Sequence, residues 1–173
     1  RTLLEVGGTI LAAQLALRYG IASNTAGGTH HATPTRGAGY TILNDLAVTA
    51  HLLTRCDDAF GVRKRRVLVV DCDVHRGDGT AAFMERFPAG SFFTLSLHCK
   101  DNYPRMQGVP STWDVGIASG CRDGEYLEKL ENALYVAWEE ARPDFVLYDA
   151  GVDIYTEDKL GRLKISEEGI RRR

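Results

Sequence analysis

Three short, mostly apolar runs constrain this chain more than anything else in it: 67–72 (VLVVDC), 92–97 (FFTLSL) and 145–148 (FVLY). Each is the length of a strand and has the composition of one covered on both faces, the habit of a parallel sheet. Parallel strands need crossovers, and the intervening sequence offers helices for them. Apolar residues recur at helical spacing over 3–19, with Gly20 at the expected stop, and again over 42–56. A short helical piece is expected near 80–87 and an amphipathic helix over 123–141, whereas 24–39 (NTAGGTHHATPTRGAG) is loop by its chemistry. Strands alternating with helices predict an α/β domain with a mainly parallel sheet.

Composition narrows the function classes. The 173 residues are 44% hydrophobic and 25% charged, which suits one globular domain and excludes a disordered tail. Lys and Arg number 21 against 23 Asp and Glu, so the basic excess of a nucleic-acid module is missing and direct nucleic-acid binding is not expected. The basic runs Arg63-Lys64-Arg65-Arg66 and Arg171-Arg172-Arg173 read as solvated surface. No apolar run approaches the roughly 18 residues of a membrane span, and the first residues do not resemble a signal peptide. Cys56, Cys72, Cys99 and Cys121 form no C-x-x-C pair, so reduced thiols in a cytoplasmic or nuclear, not secreted, protein are expected. Cys72, between two aspartates, is expected to face the opposite side of its strand and pack as a small hydrophobe.

In open α/β sheets the functional groups gather at the carboxyl ends of the strands, and there the polar residues of this chain stand. Asp71-Cys72-Asp73-Val74-His75-Arg76-Gly77-Asp78-Gly79 follows the first strand. If it stays extended, Asp71, Asp73 and His75 project to one side, a nitrogen and oxygen set suited to Zn²⁺ or a similar ion. Read as turn residues they would only cap the next helix, a role that explains this pattern poorly. Asp149-Ala150-Gly151-Val152-Asp153 follows the third strand and could complete an open Asp-His-Asp site, although an Asp after a strand is most often a turn residue. Gly27-Gly28-Thr29-His30-His31 places adjacent histidines in a glycine-rich loop, with Asp71 and Asp78 as candidates to orient them. Taken alone, the pair would equally suit surface histidines or metal ligands.

Together these segments resemble the zinc-dependent histone deacetylases and their bacterial relatives. The tandem-histidine loop, the D-x-D-x-H-x-G-D-G segment, the Ser96-Leu97-His98 strand end and the A-G-x-D turn occur in the family's order. The stretch from Tyr148 to Leu163 looks most like the class IV branch. Arginase-like hydrolases share the fold but carry a different histidine loop and a second metal-binding D-x-D. The resemblance implies a three-layer open sandwich of arginase/deacetylase type. It implies Zn²⁺ on Asp73, His75 and Asp153, with His30 paired to Asp71 and His31 to Asp78 for proton transfer. Gly39 and Tyr40 fall where the family lines its acyl-lysine channel, with Tyr103 as the opposite wall. Asp71, Asp73, His75, Ser96 and Leu97 match its inner monovalent-cation site, which would hold K⁺ as a structural ion. Asp149 departs from members with a neutral polar residue there. The implied activity is removal of acetyl or acyl groups from lysine of histones or other proteins. The alternatives are an acetylpolyamine amidohydrolase and a non-catalytic acyl-lysine-binding or scaffold protein. The family's downstream Gly-Gly-Tyr segment does not occur before Arg173. Residues 1–173 are therefore expected to be the central part of a longer deacetylase domain, truncated at both ends and poorly active alone.

Overall fold

The computed structural model describes residues 1–55, 63–104 and 108–173. Four parallel strands lie at its centre: β1 (Val67–Asp71), β2 (Phe92–Cys99), β3 (Trp113–Ile117) and β4 (Phe145–Asp149), in the order β3-β2-β1-β4. The helices are α1 (Thr2–Tyr19), α2 (Asp45–Thr54), α3 (Asp78–Ala81), α4 (Asp123–Ala141) and α5 (Glu167–Arg172).

Side-chain alternation along β1 divides the core in two. Val67 and Val69 pack with Leu147 against Ala13 of α1 and Leu46, Ala50 and Leu53 of α2. Leu68, Val70 and Cys72 face the other way, onto Tyr126, Leu130 and Ala137 of α4 and onto Leu163 and Ile165. Every residue of β1 is buried, as its unbroken apolar run demands. The result is the expected three-layer α/β sandwich. Cys72 is a core residue, and burial pushes its thiol up to about 12. Cys72, Cys99 and Cys121 are free and buried, while Cys56 lies outside the described residues.

Element boundaries differ from the sequence reading where caps and edges intervene. The helix expected over 42–56 starts at Asp45, because the Asn44 side chain accepts the Ala47 N–H at 2.8 Å and caps it; residue 56 lies outside the described residues. The piece near 80–87 is the single turn of α3 followed by a 3₁₀ turn at Met84–Arg86. Strand β3 was missed: its WDVGI sequence is half-exposed at the sheet edge, so it shows no apolar run. Short α5 was missed too. Its start is capped by Ser166, whose Oγ accepts the Gly169 N–H at 3.0 Å. No described helix is long and apolar enough to cross a membrane.

Candidate active site

The register brings the strand ends into line: Asp71 lies opposite Ser96 of β2 and Asp149 of β4. Beyond Asp71 the strand ends, and the chain is held in a tight path by its own carboxylates. Asp71 Oδ1 accepts the Asp73 N–H at 3.1 Å, and Asp73 Oδ1 accepts the His75 N–H at 2.7 Å. Asp153, arriving from the far side, accepts the Val74 N–H at 2.9 Å. This departure from extended backbone corrects the expectation that Asp71, Asp73 and His75 converge. Asp71 instead joins His30 and Asp149, while Asp73 and His75 join Asp153; within each trio the ligand atoms lie within 4.8 Å of one another.

The glycines of the segment leave room for the histidine loop. A Cβ on Gly77 would run into the Asp71 carboxylate, and one on Gly79 into the backbone of His30 and His31. The loop is also tied from behind by a residue that sequence reasoning missed. Buried Asp45 accepts the Thr29 N–H at 2.8 Å, the Gly28 N–H at 3.1 Å and the Thr9 hydroxyl at 2.6 Å. In sequence it is one more acidic residue in a first helical turn; only the packing of α1 against α2 makes it an anchor.

Both expected histidine–aspartate pairs form. His30 Nδ1 lies 2.7 Å from Asp71 Oδ2, and His31 Nδ1 lies 2.7 Å from Asp78 Oδ1. With Nδ1 engaged, Nε2 of each ring is the nitrogen left for proton exchange. Their surroundings differ. Burial disfavours charge on His30, but Asp71 and then Asp149 and Asp73 outweigh it and hold the imidazole well above its usual range. Asp149 Oδ2 stands 3.7 Å from His30 Nδ1, buried and without a hydrogen-bond partner. Burial and the neighbouring Asp71 charge push its carboxyl up to about 8.

The second trio is more open. His75 Nδ1 lies 2.9 Å from Asp73 Oδ1 and 3.0 Å from Asp153 Oδ2. Burial opposes charge on this ring, yet the hydrogen bonds to Asp153 and Asp73 prevail and push it up to about 9. Asp73, despite burial, is pulled down to about 2 by the His75 hydrogen bond and the His30 charge. Two carboxylates and one imidazole nitrogen thus crowd a point where a single proton offsets only part of the negative charge. That donor set fits a divalent ion, which would replace the proton on binding.

Asp73, His75, His30 and His31 share the wall of one cavity of about 860 Å³ with Gly39, Tyr40 and Tyr103. The Tyr103 ring stands edge-on to His31 at 5.1 Å, and Tyr40 is fully exposed with φ 64°. Ser96 lies beside Asp71, its Oγ accepting the Gly77 N–H at 3.3 Å, whereas Leu97 packs its side chain into the α4 core. Arg76, next to His75, makes a buried paired contact with Asp114 of β3, at 3.1 and 2.9 Å, and binds the Val109 carbonyl at 2.9 Å. Nothing in the sequence signalled that pairing, since Arg76 and Asp114 are 38 residues apart.

Sheet, helical layers and strand-end site together define an α/β protein of the arginase/deacetylase type. The histone deacetylase domain model matches residues 1–173, and the chain belongs to that family. It is 48% identical over 173 residues to an uncharacterized protein of Picosynechococcus sp., covering all of this chain and 55% of that protein. It is 38% identical over 169 residues to Histone deacetylase 2 of Arabidopsis thaliana, covering 96% of this chain and 42% of that one. The crystal structure of an HDAC homolog from Aquifex aeolicus superimposes with a TM-score of 0.81 at 27% identity, over 96% of this chain and 46% of the other. The chain spans about half the length of the curated relatives it matches.

Proposed function

We propose that this chain carries the metal and proton-transfer half of a zinc-dependent deacylase acting on acetyl- or acyl-lysine of histones or other proteins. One observation carries the reading: Asp73 and His75 of the Asp73/His75/Asp153 trio line a single cavity together with the histidines of both histidine–aspartate pairs. Family membership and the names of the relatives support it.

In this reading Asp73, His75 and Asp153 hold Zn²⁺. When bound, the ion supplies Lewis acidity toward an amide carbonyl and makes water easier to deprotonate. His30 and His31 handle the protons. Asp71 and Asp78 fix both rings in the tautomer that leaves Nε2 facing the cavity, ready to take a proton from water and return one to the departing amine. The carboxylates around His30 favour its charged form, so His30 is suited to hold a proton. Gly39, Tyr40 and Tyr103 would flank the acyl-lysine stem. Asp71, Asp73, His75, Ser96 and Leu97 would hold K⁺, mostly through backbone carbonyls, and stiffen the loop beneath the zinc ligands. The stretch from Tyr148 to Leu163 supports a place near class IV. A cytoplasmic or nuclear setting suits the free buried thiols.

Hydrolysis of a fluorogenic acetyl-lysine peptide by the full-length protein tests the proposal. Turnover should vanish with excess chelator, return with Zn²⁺, and be lost in Asp73→Ala. Full activity in chelator would overturn it.

A further inference from the structure

Arg171-Arg172-Arg173 reads from sequence as one solvated basic run, and the structure corrects this for its last member. Arg171 and Arg172 are exposed, but the half-buried Arg173 turns its guanidinium back toward the sheet. Nη1 donates to the Gly151 carbonyl at 2.7 Å and to the Cys72 carbonyl at 3.2 Å, and Nη2 donates to the Ala150 carbonyl at 3.1 Å. Tyr148 stacks against the same group, its ring centroid 5.7 Å from the guanidinium carbon. Helix α5 delivers the residue, and α5 is itself docked on α4. Asp123, in the first turn of α4, accepts the Ser166 N–H at 2.8 Å and the Ser166 hydroxyl.

The three carbonyls are not arbitrary ones. Cys72 immediately precedes Asp73, and Ala150 and Gly151 lie between β4 and Asp153. The two loops also touch directly, for a Cβ on Gly151 would clash with the backbone and side chain of Asp73. We propose that Arg173 is a positioning residue that clamps these two loops together and thereby sets the affinity of the Asp73/His75/Asp153 site for a divalent ion. The inference rests on the metal reading above. A planar guanidinium suits the task because its forked donors bridge separate carbonyls at fixed angles, whereas a lysine ammonium is a single point of charge. Groups that hold metal-bearing elements in place typically govern affinity by about 10–100-fold.

Zn²⁺ affinity of the full chain, measured by competition with a chromophoric chelator, tests the clamp. Arg173→Gln should bind about tenfold more weakly or worse at unchanged stoichiometry. Arg173→Lys should fall between it and wild type, because an ammonium cannot span all three carbonyls. A purely structural role would lower the melting temperature yet leave the affinity of the folded protein intact; that result overturns the proposal. If Arg173→Gln does not fold, Arg173→Lys decides alone, and wild-type affinity in it counts against the clamp. Asp153→Asn serves as the separate control. Zn²⁺ uptake absent from wild type, or indifferent to Asp153→Asn, would overturn the metal reading itself and the clamp with it.

Discussion

Two groups of identical composition, one histidine and two aspartates each, lie within 3.7 Å of one another and behave oppositely. In His30/Asp71/Asp149 all members are buried, the ring gives Nδ1 to one carboxylate at 2.7 Å, and the other carboxylate is left over. In Asp73/His75/Asp153 all members are half-buried, and the ring is shared almost equally, at 2.9 and 3.0 Å. The sealed group fixes one orientation and leaves Asp149 pushed up to about 8. The open group gathers negative charge at a point, with Asp73 pulled down to about 2, and calls for a cation. Residue type does not separate these roles. Burial and the direction of the chain after the strand do.

The largest effect should come from the open group. Asp73→Ala or Asp153→Ala is expected to abolish tight Zn²⁺ uptake and reduce acyl-lysine hydrolysis to background, read by metal content after dialysis and by peptide assay. An Asp149→Ala protein that lost metal equally would erase the distinction between the groups. Next come the histidines. His30→Ala and His31→Ala should each lower kcat by about 10²–10⁴-fold while metal content stays at wild-type level. Loss of metal from the His30 variant would merge the two groups into one site.

The smallest effect concerns Asp149 and is a matter of pH. In the metal-free protein its folded pKa is raised, by burial and by the Asp71 charge, from an ordinary 3.8 to about 8. Below the ordinary value both folded and unfolded forms are protonated, and the group's stabilising contribution is fully present. As pH climbs toward about 8 the unfolded chain ionises freely while the folded one resists, so stability is lost across that window. Asp149→Asn keeps the shape and removes the titration. Its melting temperature should therefore exceed that of wild type by a margin that grows from pH 4 to about 8 and then levels. A margin independent of pH would show that Asp149 ionises freely where it stands.

Much of the architecture was legible because its cause is local. A strand covered on both faces must be apolar throughout, so β1 and β2 announce themselves, and the 123–141 helix follows from its periodicity. Edge strand β4 is covered on one face only, with Val146 and Tyr148 exposed, yet its FVLY run is apolar enough to read. Strand β3, the other edge, escaped because half-exposed WDVGI shows no apolar run. The site was legible as a set of segments, and both histidine pairings and the Asp73/His75/Asp153 trio follow the family's pattern. The path of the chain between them was not: the Asp71 and Asp73 carboxylates accept backbone N–H groups just past the strand, and Asp73 and His75 gather with Asp153 instead of with Asp71.

By itself, then, the sequence determined the parallel sheet, the strand ends that carry chemistry and the residue types gathered there, since each depends on near neighbours in the chain. Only tertiary structure decided that Asp149 is left unpartnered, that Asp45 anchors the histidine loop, and that one arginine of a basic run turns inward. Those outcomes depend on groups brought together across long separations, as when Arg173 meets the Cys72 carbonyl 101 residues away. No local pattern encodes a hydrogen bond whose partner is chosen by how two layers pack on a sheet.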